Sequence, residues 1–232
     1  IDRYRNVFNM DPLGFWRKID AEDRQGITEI RYVEGFLEYW DELRRRNPGM
    51  LIDTCASGGR RNDLETLRRS VPLLRSDYIF EPVSQQCHTY GIAQWIPFYG
   101  TGVIRTDSYT FRSNMCPHTT ACWDMRNKDI DYDSIRKLVN QWRQIGHYYI
   151  GDFYPLTPYS LENDVWMAWQ FNRTDIGEGI VQVFRRADSF YESARFKLND
   201  LDPDANYTIE NLDIPDKINM SGKELMEKGL PI

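Results

Sequence analysis

The chain has 232 residues, 41% hydrophobic and 28% charged. That composition supports one large domain, or one plus a small second one, and excludes a disordered tail. The net charge of −6, from 29 basic against 35 acidic residues, argues against a protein that coats nucleic acid. No apolar run approaches a membrane span.

Residues 27–46 place Ile27, Ile30, Val33, Leu37, Trp40 and Leu43 at spacings of three and four. The spacing predicts an amphipathic helix, closed by Arg44, Arg45 and Arg46 and stopped at Pro48-Gly49. Met50–Thr54 reads as a short buried strand, followed by the glycine turn CASGGRR. Asn62 with Glu65 three residues on predicts a capping box and a short helix through Ser70.

Further strands are predicted at 73–77 (LLRSD), within 92–103 and at 120–125, and a second helix over 131–149. Strands alternating with helices through short connections imply parallel βα units. Beyond about residue 155 the period changes to two, in 165–171, 179–186, 193–201 and 206–212. Those segments predict a small antiparallel β-sandwich. The expected organisation is therefore α/β: a partial barrel over 1–155 and a C-terminal antiparallel β domain over 156–232. Residues 1–155 hold only four or five βα units, about half of a closed (β/α)8 TIM barrel.

In parallel α/β proteins the reacting groups stand at the carboxyl ends of the strands. Asp77, Cys55 with its glycine turn, and the opening segment with Asn9 and Asp11 all qualify. Two carboxylates from different strand ends can serve as nucleophile and acid/base in glycoside cleavage. A helix cap or a salt bridge accounts equally well for Asp77, and a plain tight turn for Gly58-Gly59. Cys55, Cys87, Cys116 and Cys122 form no CxxC pair, and His88, His118 and His147 show no ligand spacing. Trp123-Asp124-Met125 reads as the end of a late strand, and the arginine clusters as solvated helix faces.

The segment CASGGRRNDLETLRRSVPLLRSD resembles the paired motifs of glycoside hydrolase family 36, the α-galactosidase-like retaining enzymes. YYIGDFYPLTPY, WMAWQF, LNDLDPDANYTI and SGKELMEKGLPI resemble the last barrel helix and closing β domain of that family. The resemblance runs from about residue 4 to the end. It implies that Asp77 is the general acid/base and that Cys55, Ser57, Gly58 and Gly59 border the glycone. It also implies that Trp95, with Tyr99, belongs to the wall or rim. The substrate class implied is a glycoside or oligosaccharide ending in an α-linked galactose-type sugar, with no metal or organic cofactor.

One departure stands out. The family strand reads W-D-M-N, and the matching stretch here is Asn6-Val7-Phe8-Asn9. Valine stands where the nucleophilic Asp is expected. Asp11 is the nearest downstream carboxylate, roughly 13 Å further along an extended strand. It could substitute only if the chain turns sharply before Pro12. A catalytically inactive carbohydrate-binding or scaffold homologue is therefore the rival reading. The sparse cysteines and the absence of a leader-like stretch point towards the cytoplasm, and homo-oligomer formation is left open.

Overall fold

The computed structural model describes residues 2–232. The chain divides into two compact units, one ending at Tyr78 and one beginning at Ile79. The fold is mixed α/β, with parallel strand pairs in both units and antiparallel sheets in the second.

In the first unit, β1 (Arg3–Val7) runs parallel to β2 (Leu51–Cys55), with Val7 opposite Cys55. Val71 forms a parallel bridge to Asp53. It accepts from the Thr54 N–H (3.0 Å) and donates to the Ile52 carbonyl (2.8 Å). Two helices fill the crossover, α1 (Leu13–Ile19) and α2 (Ile27–Arg46).

The bounds of α2 follow from its ends. Gly26 takes φ +95°, and the Asp20 carboxylate accepts from the Gly26 N–H (2.8 Å) and the Thr28 N–H (3.2 Å). The Thr28 hydroxyl on the same carboxylate is the main cause holding the Asp20 pKa below its ordinary value. At the far end, Arg45 and Arg46 both grip Glu42, and Gly49 at φ +89° turns the chain away.

The packed face of α2 keeps Trp40 of the predicted face but turns Ile30 and Val33 outward. Tyr32, Phe36 and Trp40 form the inner row, with Trp16–Tyr32 and Phe36–Trp40 ring centroids 5.1 and 4.4 Å apart. Trp40 has no exposed surface, whereas Ile30 and Val33 are 55% and 45% exposed. The aromatic row buries more area per residue than the aliphatic stripe beside it and sets the helix rotation.

Two further expectations are corrected. The short helix α3 (Leu64–Leu67) is capped by Asp63, whose carboxylate accepts from the Thr66 N–H at 2.9 Å. Asn62 instead donates to the Arg75 carbonyl at 3.0 Å. Residues 73–77 form no strand. Pro72 supplies no N–H, and the Leu73 N–H turns to the Asp53 carboxylate (3.3 Å) rather than to a ladder.

In the second unit, Glu81 and Pro82 start α4 (Pro82–Ala93), and the strand expected within 92–103 follows as the last four residues of that span. β3 (Gly100–Val103) runs parallel to β4 (His118–Ala121), with α5 (Ser108–Ser113) between them. The fourth predicted strand thus starts two residues earlier than expected. α6 (Tyr132–Ile145) follows, capped by Asp131, whose carboxylate accepts from the Asp133 and Ser134 N–H groups. β5 (Asp152–Pro155), β6 (Trp166–Arg173) and β7 (Glu178–Arg185) form an antiparallel sheet.

β6 is buried along nearly its whole length: Met167, Trp169 and Phe171 share one face as predicted, and the opposite face buries Ala168, Gln170 and Asn172. Its Met167, Trp169 and Phe171 join Phe111, Leu138 and Tyr149 in the main core. A second, smaller core around Leu198, Leu225 and Leu230 closes the C-terminal end. It lies among the antiparallel pairs β8 (Arg195–Phe196) with β11 (Leu230–Pro231) and β9 (Asn206–Glu210) with β10 (Lys217–Ser221). The helix α7 (Gly222–Glu227) starts on a reciprocal Ser221–Glu224 capping box.

Candidate active site

The turn after β2 is locked on two sides. Ser57 takes φ +46°, uncommon for a residue with a side chain. Its N–H donates to the Asn9 side-chain carbonyl at 2.8 Å. The Phe8 N–H donates to the Cys55 carbonyl at 3.1 Å, so the segment after β1 follows the end of β2. On the other side, Gly58 (φ +75°) presses on the residues closing LLRSD. A Cβ there would stand 2.6 Å from the Asp77 backbone nitrogen. A Cβ on Gly59 would stand 2.9 Å from the Arg75 carbonyl, the same oxygen that Asn62 holds. Glycine is required at 58 by both conformation and space.

The structure therefore brings together Cys55, Ser57, Gly58, Gly59 and Asp77. Cys55 is buried, and the Asp77 carboxyl is exposed and takes part in no ion pair found among the described residues. Val7 closes β1 level with Cys55 and is 46% exposed. Strand alternation puts Arg5 and Val7 on one face. The other charged partner on that face, Asp53, is only 1% exposed and is consumed by its ion pair with Arg5 and by the Leu73 N–H.

Asp11 lies beyond the strand end, where its carboxylate accepts from the Leu13 N–H (3.2 Å) at the start of α1. The chain does turn at Pro12, but it turns into that helix. Arg61 lies over the Phe36 ring (4.3 Å) and the Phe8 ring (5.4 Å) and donates to the Asn6 side chain at 2.6 Å. It thereby fixes the residues on either side of Val7. The sequence reading treated Arg60-Arg61 as a solvated cluster and missed this role. The signal available was the aromatic spacing from Phe8 to Phe36. Asp53, a carboxylate inside an otherwise apolar strand, was a second visible signal.

In the second unit, Trp95 follows α4 and is 44% exposed, whereas Tyr99 has no exposed surface. Ile104–Asp107 after β3 and Cys122–Asp124 after β4 line an open hollow of about 560 Å³. A smaller one of about 200 Å³ lies between Trp16, Asp20 and Glu29. Neither includes Asp77. Asp124 is held by Arg126 through two bonds of 2.9 Å, which keeps its pKa below the usual range. Among the described residues no group of three or more His, Cys, Asp or Glu side chains is arranged to hold a metal, and no helix is long and apolar enough to cross a membrane.

The fold and part of the sequence are similar to those of glycoside hydrolases. The profile described as Glycosyl hydrolase family 36 C-terminal domain matches residues 166–232. The chain is 25% identical over 234 residues to α-galactosidase AgaA of Geobacillus stearothermophilus, covering 90% of this chain and 30% of that protein. It is 27% identical to α-galactosidase 1 of Pediococcus pentosaceus, covering 89% and 29%. The α-galactosidase of Lactobacillus brevis superposes with a TM-score of 0.80 at 19% identity, covering 100% of this chain and 33% of that one. A variant of AgaA in complex with stachyose gives 0.80 at 23% identity, covering 100% and 33%. The chain is thus similar over nearly all its length to part of these α-galactosidases, and its residues 166–232 match the C-terminal domain of family 36. It spans about a third of the length of the relatives it matches.

Proposed function

We propose that this chain supplies the acid/base side of a sugar site that recognises a terminal α-linked galactose-type residue. The observation that carries the reading is the contact between Gly58 and the Ser76–Asp77 backbone. It sets an exposed carboxylate beside the turn that the resemblance assigns to the glycone. Asp77 would protonate the departing glycosidic oxygen and later take a proton from the attacking water. Cys55, Ser57, Gly58 and Gly59 would border the sugar. Residues 1–155 are taken as the second half of a (β/α)8 barrel and 156–232 as its closing β domain. The parallel pairs β1–β2 and β3–β4, with helices in each crossover, support that assignment.

Retaining hydrolysis needs a second carboxylate about 5–5.5 Å from the first. Val7 occupies the matching strand end, and this favours a second reading: binding without turnover. Val7→Asp separates the two. In the protein carrying this chain, hydrolysis of an aryl α-galactoside that Asp77→Asn abolishes supports the enzyme. Galactose binding by calorimetry with no turnover, and turnover gained on Val7→Asp, supports the binding protein. Turnover untouched by Asp77→Asn removes Asp77 from the mechanism. The 232-residue chain alone is expected to show no hydrolysis, and measurable turnover by it would contradict the half-barrel assignment.

A further inference from the structure

The open hollow in the second unit has no part in the reading above. It lies past the carboxyl ends of the parallel strands β3 and β4, where parallel α/β sheets take their ligands. The two strand ends are tied together by the Cys122 N–H, which donates to the Val103 carbonyl at 2.8 Å. The volume of about 560 Å³ falls within the range of small-molecule sites.

Several polar groups on its wall are already engaged. Asp107 accepts from the Thr110 N–H at 2.9 Å, and Asp124 is gripped by Arg126. The Asn127 side-chain carbonyl accepts from the Asp129 N–H at 2.9 Å, which leaves its NH2 group unengaged. Arg105 and Thr106 line the hollow with no side-chain partner among the described residues. The charges balance: Arg105 and Asp107 cancel, and Asp124 is neutralised by Arg126. Trp123 packs on the main core and also lines the hollow, and Ile104 and Ile130 extend the apolar wall.

Balanced charge, unengaged donors and an aromatic wall suit a neutral ring with hydroxyls at its edge and C–H groups on its face. A phosphate or carboxylate would meet a single unengaged cation and two carboxylates of its own sign. We infer that the hollow is a second saccharide-binding site. Arg105 and Asn127 donate to sugar hydroxyls, and Trp123 supplies the apolar wall. The inference uses neither Asp77 nor the Gly58 turn.

The test is hydrogen–deuterium exchange of the protein carrying this chain, alone, with raffinose and with inorganic phosphate. Raffinose is expected to slow exchange at 104–107 and 122–130 by about threefold or more, and phosphate to leave it unchanged. Arg105→Met is expected to remove that protection while any response at 55–59 stays as in the wild type. Arg105→Lys is expected to restore only part of it, because an ammonium lacks the planar fork. Protection of 104–107 and 122–130 alone supports the inference and counts against the sugar site at the glycine turn. Protection of 55–59 alone overturns the inference and leaves that site standing. Protection by phosphate instead of raffinose, or protection that survives Arg105→Met, also overturns it. No protection in either region overturns both readings. Circular dichroism of each variant establishes that it has folded.

Discussion

Gly58 meets two demands at once, a left-handed backbone and the absence of a Cβ against Asp77. Gly58→Ala is expected to destabilise the protein by about 2–4 kcal/mol in urea unfolding and, under the proposed function, to abolish galactoside binding. Gly49 shares the left-handed backbone (φ +89°) but faces open space. Gly49→Ala should therefore cost only about 1–2 kcal/mol and leave binding intact. Equal costs at the two sites would show that the Asp77 contact contributes nothing beyond backbone strain. Asn9 belongs to the same arrangement, since its side chain holds Ser57 in the left-handed region. The residues of this turn were legible in the sequence. Their mutual support was not, because it depends on backbone angles and on groups about 20 and 48 residues away.

At the scale of elements, α2 shows how periodicity can locate a helix and misjudge its face. Its bounds agree with the prediction because end signals are local. Its rotation is decided by which row meets Phe8 and Trp16. Trp40→Ala is expected to cost about 3–5 kcal/mol in the 232-residue chain, against about 0.5 kcal/mol or less for Ile30→Ala. Denaturant titration of the two variants checks the order. The C-terminal turn adds a pH dependence. Arg45 and Arg46 hold the Glu42 carboxyl down to about 2. A carboxyl depressed on folding contributes stability above its unfolded pKa, near 4.3, and loses it as pH falls towards about 2. The melting temperature of the wild type should thus fall across that window more than that of Glu42→Gln. The Glu42 side chain is 37% exposed at the surface, so the difference is small and shrinks further in high salt.

At the scale of the whole molecule, Arg186 is 2% exposed and joins segments far apart in the chain. It donates to Gln86 of α4 at 3.1 Å and to the Ser160 carbonyl at 2.9 Å, and also bonds the Glu162 carbonyl. Arg186→Met leaves these acceptors buried without a donor and is expected to destabilise the second unit by about 3 kcal/mol, read by thermal unfolding. An unchanged melting temperature would mean that water replaces the guanidinium without loss.

The sequence by itself determined that helices alternate with parallel strands and give way to antiparallel ones. Turn residues and hydrophobic periods are short-range properties, and they were enough for that. Tertiary structure decided that residues 73–77 are coil, because Asp53 competes for the Leu73 N–H and Pro72 has none to give. It decided that Asp63 and not Asn62 caps α3, because Asn62 is needed at the Arg75 carbonyl. It also decided that Arg61 braces the end of β1, since a guanidinium can choose between water and aromatic faces only once those faces are brought together.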